Sequence, residues 1–394
     1  DRMHQAVVYA ERNKTKFSLF FIDLDRFKHV NDSIGHSAGD EVLRCVGERM
    51  KALVRESDTV ARFGGDEFVI ILQDSNDDAA MQRLAKKIIA EINQRVPFGH
   101  HQCSVGASVG VACFPQHGRT PETLVKHADM AMYEAKNKGR NQVRFFTQKL
   151  LEKQKQFFSV ESALRDALLD PDSNFALHFQ PRVEIASGNI YSVEALIRWK
   201  DQKLGYIPPT EFIPLAEDLG LIEQIDEWVL RTACKKAARW KGLSSGVRIA
   251  VNISGLSFNQ PHFVSQVVEP TLKQYGIDGH CLEMEITEGV LLADTQQMLR
   301  RLQALKDLGI VLAIDDFGTG FSSLSYLNHF PIDSVKIDGS FICDHSSAES
   351  EKALLKAIIA LGRALNMTVV AECVETEAQM QYLLSLDCHE GQGY

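Results

Sequence analysis

Apolar and polar positions follow two different rhythms along this chain of 394 residues. The first mixes apolar runs with amphipathic stretches. Residues 17–25 (FSLFFIDLD) read as a buried strand that ends in two acids. Residues 31–50 have helical spacing, and 60–63 and 67–72 read as strands flanking Gly64 and Gly65, a hairpin signal. Helices are predicted over 79–94 and 120–138, and strands over 104–114 and 143–146. That order, with a hairpin at its centre, predicts an α+β unit whose sheet contains antiparallel pairs. Residues 147–169 are charged, helix-prone and without Gly or Pro, which reads as a helical linker.

The second rhythm starts near residue 175. Short apolar strands at 176–181, 193–198, 248–253, 282–287, 311–316, 334–338 and 368–373, and the start of another at 390, alternate with helical stretches. About eight βα units predict an α/β barrel of the TIM-like kind. The chain therefore divides into 1–148, a helical linker at 149–170, and a barrel at 171–394. Both ends read as interrupted: residues 1–12 fall inside a helix, and the last strand wants one more helix to cover it.

Composition narrows the class without naming a function. Hydrophobic residues are 45% and charged residues 24%, as in ordinary globular chains. No apolar run reaches the roughly 18 residues of a membrane span, and no signal peptide opens the chain. Eight scattered cysteines without a CxxC pair argue against zinc and for reduced thiols. The location expected is the cytoplasm, with a tether to the inner membrane through a preceding segment left open. The net charge of −9 is uneven: residues 1–150 hold 22 basic and 19 acidic side chains, the remainder 21 and 33. An acidic second part lacks the basic track of a nucleic-acid binder, polymerase or nuclease. It suits metal-centred chemistry on a small anionic substrate.

Three clusters of carboxylates stand where the chain should leave a strand: RFGGDEF at 62–68, EALIRW at 194–199 and IDDFGTG at 314–320. Clustered carboxylates repel unless a cation lies between them, so each proposes a divalent metal site. In the first unit, Asp23 ends a strand and Asp66 follows the glycine hairpin, where two carboxylates could share Mg²⁺ with phosphate oxygens. Lys28, Lys136 and Arg140 are cations placed to cradle a triphosphate. Singly, a GG pair is only a tight turn and Asp23 a solvated strand end. In the second unit, Glu194, Asn252, Glu285, Asp315, Asp316 and Glu372 fall at successive strand ends, and Lys336 ends another. An all-oxygen donor set favours Mg²⁺ or Mn²⁺, and adjacent Asp315 and Asp316 could serve two ions about 3.5–4 Å apart. A lone strand-end Asp is as often a helix N-cap. Six at successive strand ends make a chance pattern remote.

These motifs resemble the bacterial tandem GGDEF–EAL proteins of cyclic di-GMP metabolism, over nearly the whole chain. FIDLDRFKHVNDSIGHSAGDEVL and Gly64–Phe68 look like the GGDEF diguanylate cyclase pattern. The resemblance implies a mixed sheet like that of nucleotide cyclases and polymerase palms, and binding of GTP. It implies metal binding by Asp23 and Asp66, with Glu67 the candidate for deprotonating a 3′-hydroxyl. Asn31 and Asp40 would read guanine, since an aspartate accepts from a donor pair that adenine lacks. Lys28, Lys136 and Arg140 would contact phosphates, and Arg55 and Asp58 (RESD) match an inhibitory product site. The family's N-terminal DxLT segment is absent.

Residues 194–199 look like the signature of EAL phosphodiesterases. The resemblance implies two ions, one held by Glu194, Asn252, Glu285 and Asp315, the other by Asp315, Asp316 and Glu372. Lys336 would orient the attacking water, Gln180 and Arg198 would contact substrate, and Asp338 and Gln392 would line the site. Residues 315–324 match a loop coupling dimerisation to metal binding, braced by Glu288. Cys373 stands where the family has Gly, and reads as a tolerated small residue. The implied activity is hydrolysis of cyclic di-GMP to 5′-pGpG, with the first domain binding GTP to regulate it or making cyclic di-GMP. A homodimer and an upstream sensor domain are further implied. A net diguanylate cyclase and a non-catalytic cyclic di-GMP receptor are the alternatives.

Overall fold

The computed structural model describes every residue except 1, 75–76, 241–246, 293–294, 319–328, 343–348 and 394. The described residues form two compact units, Asp1–Phe158 and Ser159–Tyr394, and the boundary falls inside the helix Gln148–Ala167.

The first unit is built on β1 (Phe17–Asp25), which pairs antiparallel with β3 (Glu67–Gln73) on one side and β6 (Gly106–Phe114) on the other. β2 (Thr59–Gly64) and β7 (Val143–Phe145) complete the five-stranded order β2-β3-β1-β6-β7. All nine β1 residues are buried, because helices cover both faces. Phe20, Ile22 and Leu24 pack with residues of the helices His36–Leu53 and Asp78–Ile92. Phe17, Leu19 and Phe21 pack with residues of Arg2–Asn13 and Pro121–Asn137. That two-sided burial is the reason for an apolar run rather than an alternating one. Two details depart from the sequence reading. The helix expected over 31–50 is two helices, Phe27–Ile34 and His36–Leu53, broken at Gly35 with φ of 104°. A small ribbon of β4 (Val96–Phe98) and β5 (His101–Cys103) precedes β6.

The second unit is a closed eight-stranded barrel. Its strands are β8 (Phe175–Glu184), β9 (Ile190–Asp201), β11 (Arg248–Asn252), β12 (Leu282–Thr287), β13 (Val311–Phe317), β14 (Ser334–Ile337), β15 (Thr368–Val374) and β16 (Glu390–Gly393). A short β10 (Gly205–Ile207) pairs with β9 outside the ring. The pairing order is β9-β11-β12-β13-β14-β15-β16-β8, and β8 pairs again with β9 to close it. β8 runs antiparallel to both neighbours, whereas β9 and β11 to β16 are mutually parallel. The expectation of eight βα units is therefore corrected to a hairpin followed by parallel strands. Only residues 185–189 join β8 to β9, too few for the crossover a parallel pair requires.

Strand alternation sorts the barrel into two chemistries. Outward residues such as Val251, Met284, Ile314 and Val369 join the apolar core with Ile225 and Val229 of the helix Ile222–Trp240 and Leu302 of Thr295–Asp307. Each such burial contributes about 1.5–3 kcal/mol. Inward positions are unusually polar for this architecture: Arg182, Glu194, Glu283, Glu285, Lys336 and Gln392 are all buried.

Candidate active site

Toward the C-terminal side of the barrel, all seven parallel strands deliver polar groups to one mouth. Lys336 on β14 is 1% exposed and reaches four carboxylates from four other strands. Its Nζ is 2.7 Å from Glu285, 2.9 Å from Asp315, 2.8 Å from Glu372 and 3.5 Å from Glu194. Burial disfavours the ammonium charge, but Glu194 and Asp315 outweigh it and hold Lys336 above its ordinary range. Burial likewise pushes against ionised Glu194, yet Lys336 and Arg182 keep it below the ordinary carboxylate range.

Two bulges aim the remaining acids. The register shifts between Ile314 and Phe317 on β13, and between Ala371 and Val374 on β15. Within them Asp316 and Cys373 have φ of 53° and 55°. A bulge re-aims the side chains beside it, and here Asp315, Asp316 and Glu372 bring ligand atoms within 4.8 Å of one another. Burial raises the Asp316 and Glu372 carboxyls, and neighbouring Asp315 raises both further. Five carboxylates thus face two buried cations, Lys336 and Arg182. The donors are oxygen only, and the excess of negative charge fits hard divalent ions. Cys373 sits in the backbone region where glycine is at ease, so the replacement carries strain of about 1 kcal/mol as well as bulk.

The flanking groups are held by amides. Asn252 Nδ2 donates to Glu194 Oε1 (2.7 Å), and Gln392 Nε2 donates to Glu194 Oε2 (2.6 Å) and to Gln180 Oε1 (3.1 Å). Asp338 acts on Asp316 through its charge and also accepts from Ser340 N–H, capping the turn Gly339–Phe341. Glu288 is buried, and one of its oxygens accepts from Gly318 N–H (3.1 Å), where the loop leaves β13. Most of the loop expected at 315–324 lies outside the described residues. Arg198 is not joined to this set: it donates to the Ile197 carbonyl.

The first unit gathers a looser site. Asp23 at the end of β1 lies opposite Glu67 in register, and Leu24 N–H donates to the Asp66 carbonyl (3.2 Å), tying the hairpin to that strand end. Gly65 takes φ of 51°, and Arg62 Nε donates to its carbonyl (2.8 Å). Lys136 pairs with Asp23 at 2.7 Å. Burial still raises Asp23, with Asp66 and Asp25 adding to it, and burial, Asp23 and Asp129 raise Glu67. A cleft of about 330 Å³ brings Lys28, Asn31 and Asp40 together with Asp66. Arg140 lies outside that lining, in a turn of positive φ at Gly139, Arg140 and Asn141. Asp58 spends both oxygens on backbone, accepting from Arg55 N–H (2.9 Å) and Gln73 N–H (3.0 Å), while the Arg55 side chain is exposed.

Sequence reasoning missed Arg182 and Glu283 in the barrel, and Asp25 and Asp129 in the first unit. Asp25 accepts from Ser108 Oγ (2.8 Å) and Asn141 N–H (2.9 Å), so it holds the turn that carries Arg140. Its signal was the spacing of two in FIDLD, which puts both acids on one face. Arg182 is separated from its hydrogen-bond partners by more than a hundred residues and left no local signal.

Known proteins agree with this division. The chain matches the diguanylate cyclase GGDEF domain over residues 1–142 and the EAL domain over residues 161–394. It is 41% identical, over its full length and 57% of the relative, to the bifunctional diguanylate cyclase/cyclic di-GMP phosphodiesterase MucR of Pseudomonas aeruginosa. It is 39% identical to the cyclic di-GMP phosphodiesterase NbdA of the same organism, over 96% of this chain and 48% of the relative. The chain thus spans about half the length of the curated relatives it matches. A solved PaMucR phosphodiesterase–c-di-GMP complex is similar with a TM-score of 0.57 at 41% identity, covering 60% of this chain and 94% of that one. No helix among the described residues is long and apolar enough to cross a membrane. The chain belongs to the EAL domain family, with a diguanylate cyclase GGDEF domain in tandem ahead of its EAL barrel.

Proposed function

We propose that the barrel hydrolyses one phosphodiester of cyclic di-GMP, giving 5′-pGpG, and that the first domain binds GTP. The observation that carries the reading is the convergence of Glu194, Glu285, Asp315, Asp316 and Glu372 around Lys336. Glu194, Asn252, Glu285 and Asp315 would hold one divalent ion, Mg²⁺ or Mn²⁺, and Asp315, Asp316 and Glu372 a second. When bound, such ions polarise a phosphoryl oxygen and lower the pKa of water. Lys336 holds Asp315 and Glu372 in place and offers a proton donor beside the attacked phosphate. Gln180 and Gln392, linked to each other, present amides to the substrate, and Arg198 at the rim supplies a cation for its second phosphate. Glu288 braces the loop that leaves β13.

In the first domain Asn31 and Asp40 would read the guanine edge, Lys28, Lys136 and Arg140 the phosphates, and Asp23 and Asp66 the accompanying ion. Glu67, whose carboxyl is raised by burial, suits the acceptance of a proton from a 3′-hydroxyl. GTP binding there regulates the barrel or feeds cyclic di-GMP synthesis by two such domains facing one another in a homodimer. A cytoplasmic location and an upstream sensor domain belong to the same reading. The test is chromatographic: the purified chain with cyclic di-GMP and Mg²⁺ or Mn²⁺, with and without GTP. Formation of 5′-pGpG is expected. Its absence under both conditions rejects the phosphodiesterase reading, and a GTP-only incubation then separates a cyclase from a receptor.

A further inference from the structure

Below the carboxylates, the barrel interior holds a second charged layer that the proposed chemistry does not use. Arg182 on β8 is 0% exposed and fans its donors to two other strands. Nε donates to Gln392 Oε1 on β16 (2.9 Å), Nη1 to Glu283 Oε1 on β12 (2.8 Å) and Nη2 to Glu285 Oε1. Nη2 also lies 3.6 Å from Glu194 Oε2. Glu283 is anchored in turn by Arg248 Nη1 (3.1 Å) and Ser334 Oγ (3.3 Å). A continuous ladder therefore runs Arg248–Glu283–Arg182–Glu285–Lys336. A side branch runs from Arg182 through Gln392 to Glu194.

The geometry points to Arg182 as a positioning residue that sets the orientation of Glu285, Gln392 and Glu194, and through them the affinity of the barrel for divalent cations. The inference rests on the metal-binding reading above. Its physical basis is the rigid guanidinium fork, which serves Gln392, Glu283 and Glu285 at once; an ammonium is a point charge on a flexible stem. Outer groups that hold metal ligands in place typically govern affinity 10–100-fold. The sign separates positioning from charge. Removing a cation beside an acidic cluster favours binding of another cation by Coulomb's law. Loss of positioning weakens it.

The test is Mn²⁺ affinity, followed by titration calorimetry and electron paramagnetic resonance on the full chain. Circular dichroism checks the fold. Arg182→Lys is expected to weaken Mn²⁺ binding about tenfold, and hydrolysis at saturating Mn²⁺ should recover most of its kcat. Glu283→Gln, which touches no proposed metal ligand directly, should weaken it a few-fold, and the double variant should be no worse than Arg182→Lys, since both act through one link. A folded Arg182→Lys protein with wild-type or tighter Mn²⁺ binding overturns the inference, as does simple additivity in the double variant. If Arg182→Lys does not fold, Glu283→Asp decides alone, because it keeps the charge and withdraws the carboxylate from Arg182 Nη1: wild-type affinity overturns the inference. Wild-type protein that binds no Mn²⁺ would instead reject the metal reading on which this one stands.

Discussion

The two carboxylate sites of this chain are built in opposite ways. In the barrel, acids from β9, β12, β13 and β15 converge on one lysine that is 1% exposed, and a buried arginine supports them from beneath. In the first unit, acids from one strand end and one hairpin share a single lysine that is 28% exposed on its side chain. The consequence is electrostatic. Burial works against the charge of Glu194 and of Asp23 alike, but built-in cations win at Glu194 and burial wins at Asp23. The barrel site is preorganised by its own network, whereas the first site leaves more of the compensation to whatever its ligand brings.

The largest effect should come from the barrel's own acid. Glu194→Ala is expected to abolish hydrolysis, since it removes a proposed ligand and the acceptor shared by Asn252 and Gln392. Retention of most 5′-pGpG production would break the barrel half of the comparison. Next, Lys336→Met should destabilise the barrel by about 3–5 kcal/mol in chelator, because it strands buried carboxylates without a partner. Lys136→Met should cost the first unit less, about 1–3 kcal/mol, since it leaves Asp23 buried without its partner while the lysine itself is only partly buried. Denaturant titrations reading each unit's transition would erase the contrast if the two losses came out equal. Added Mn²⁺ should return more stability to Lys336→Met than to the parent chain.

A smaller effect sharpens the first site. Asp66→Ala should weaken GTP binding at least tenfold, about 1.4 kcal/mol, and remove any dependence of hydrolysis on GTP. Unchanged affinity in a GTP titration would show that the cleft shared by Lys28, Asn31, Asp40 and Asp66 is not the nucleotide site. The smallest change separates two roles within RESD. Asp58→Ala should cost about 1–2 kcal/mol by orphaning the N–H groups of Arg55 and Gln73. Arg55→Ala should leave stability alone and weaken inhibition by cyclic di-GMP. An unaltered inhibition curve would leave the motif purely structural.

Much of this was legible in the chain. Phe17–Asp25 and Leu282–Thr287 stand where the apolar pattern put them, and the acids near the ends of β1, β12, β13 and β15 were visible as such, whereas Glu194, expected at a strand end, lies within the long β9, which runs on to Asp201. Three things were not. Gly35 divides a helix whose apolar spacing continues across the break, because a periodic pattern survives a change in axis. The reversal of β8 was missed because apolar content does not encode strand direction. Arg198 turns its guanidinium onto the carbonyl of its own neighbour Ile197, and a motif written in side chains does not encode a backbone partner.

What the sequence alone determined was local: which residues end strands, which faces are apolar, and which oxygen-bearing side chains the chain offers to a cation. These follow from periodicities of two and 3.6, which every short window carries. The tertiary structure decided the rest. Closure of the barrel set Arg182 beside Gln392, 210 residues away, and two bulges turned Asp315, Asp316 and Glu372 toward one another. Register and closure are properties of the whole sheet. A buried charge acquires its partners only when distant strands pair, so its role is written in the fold and not in its neighbours along the chain.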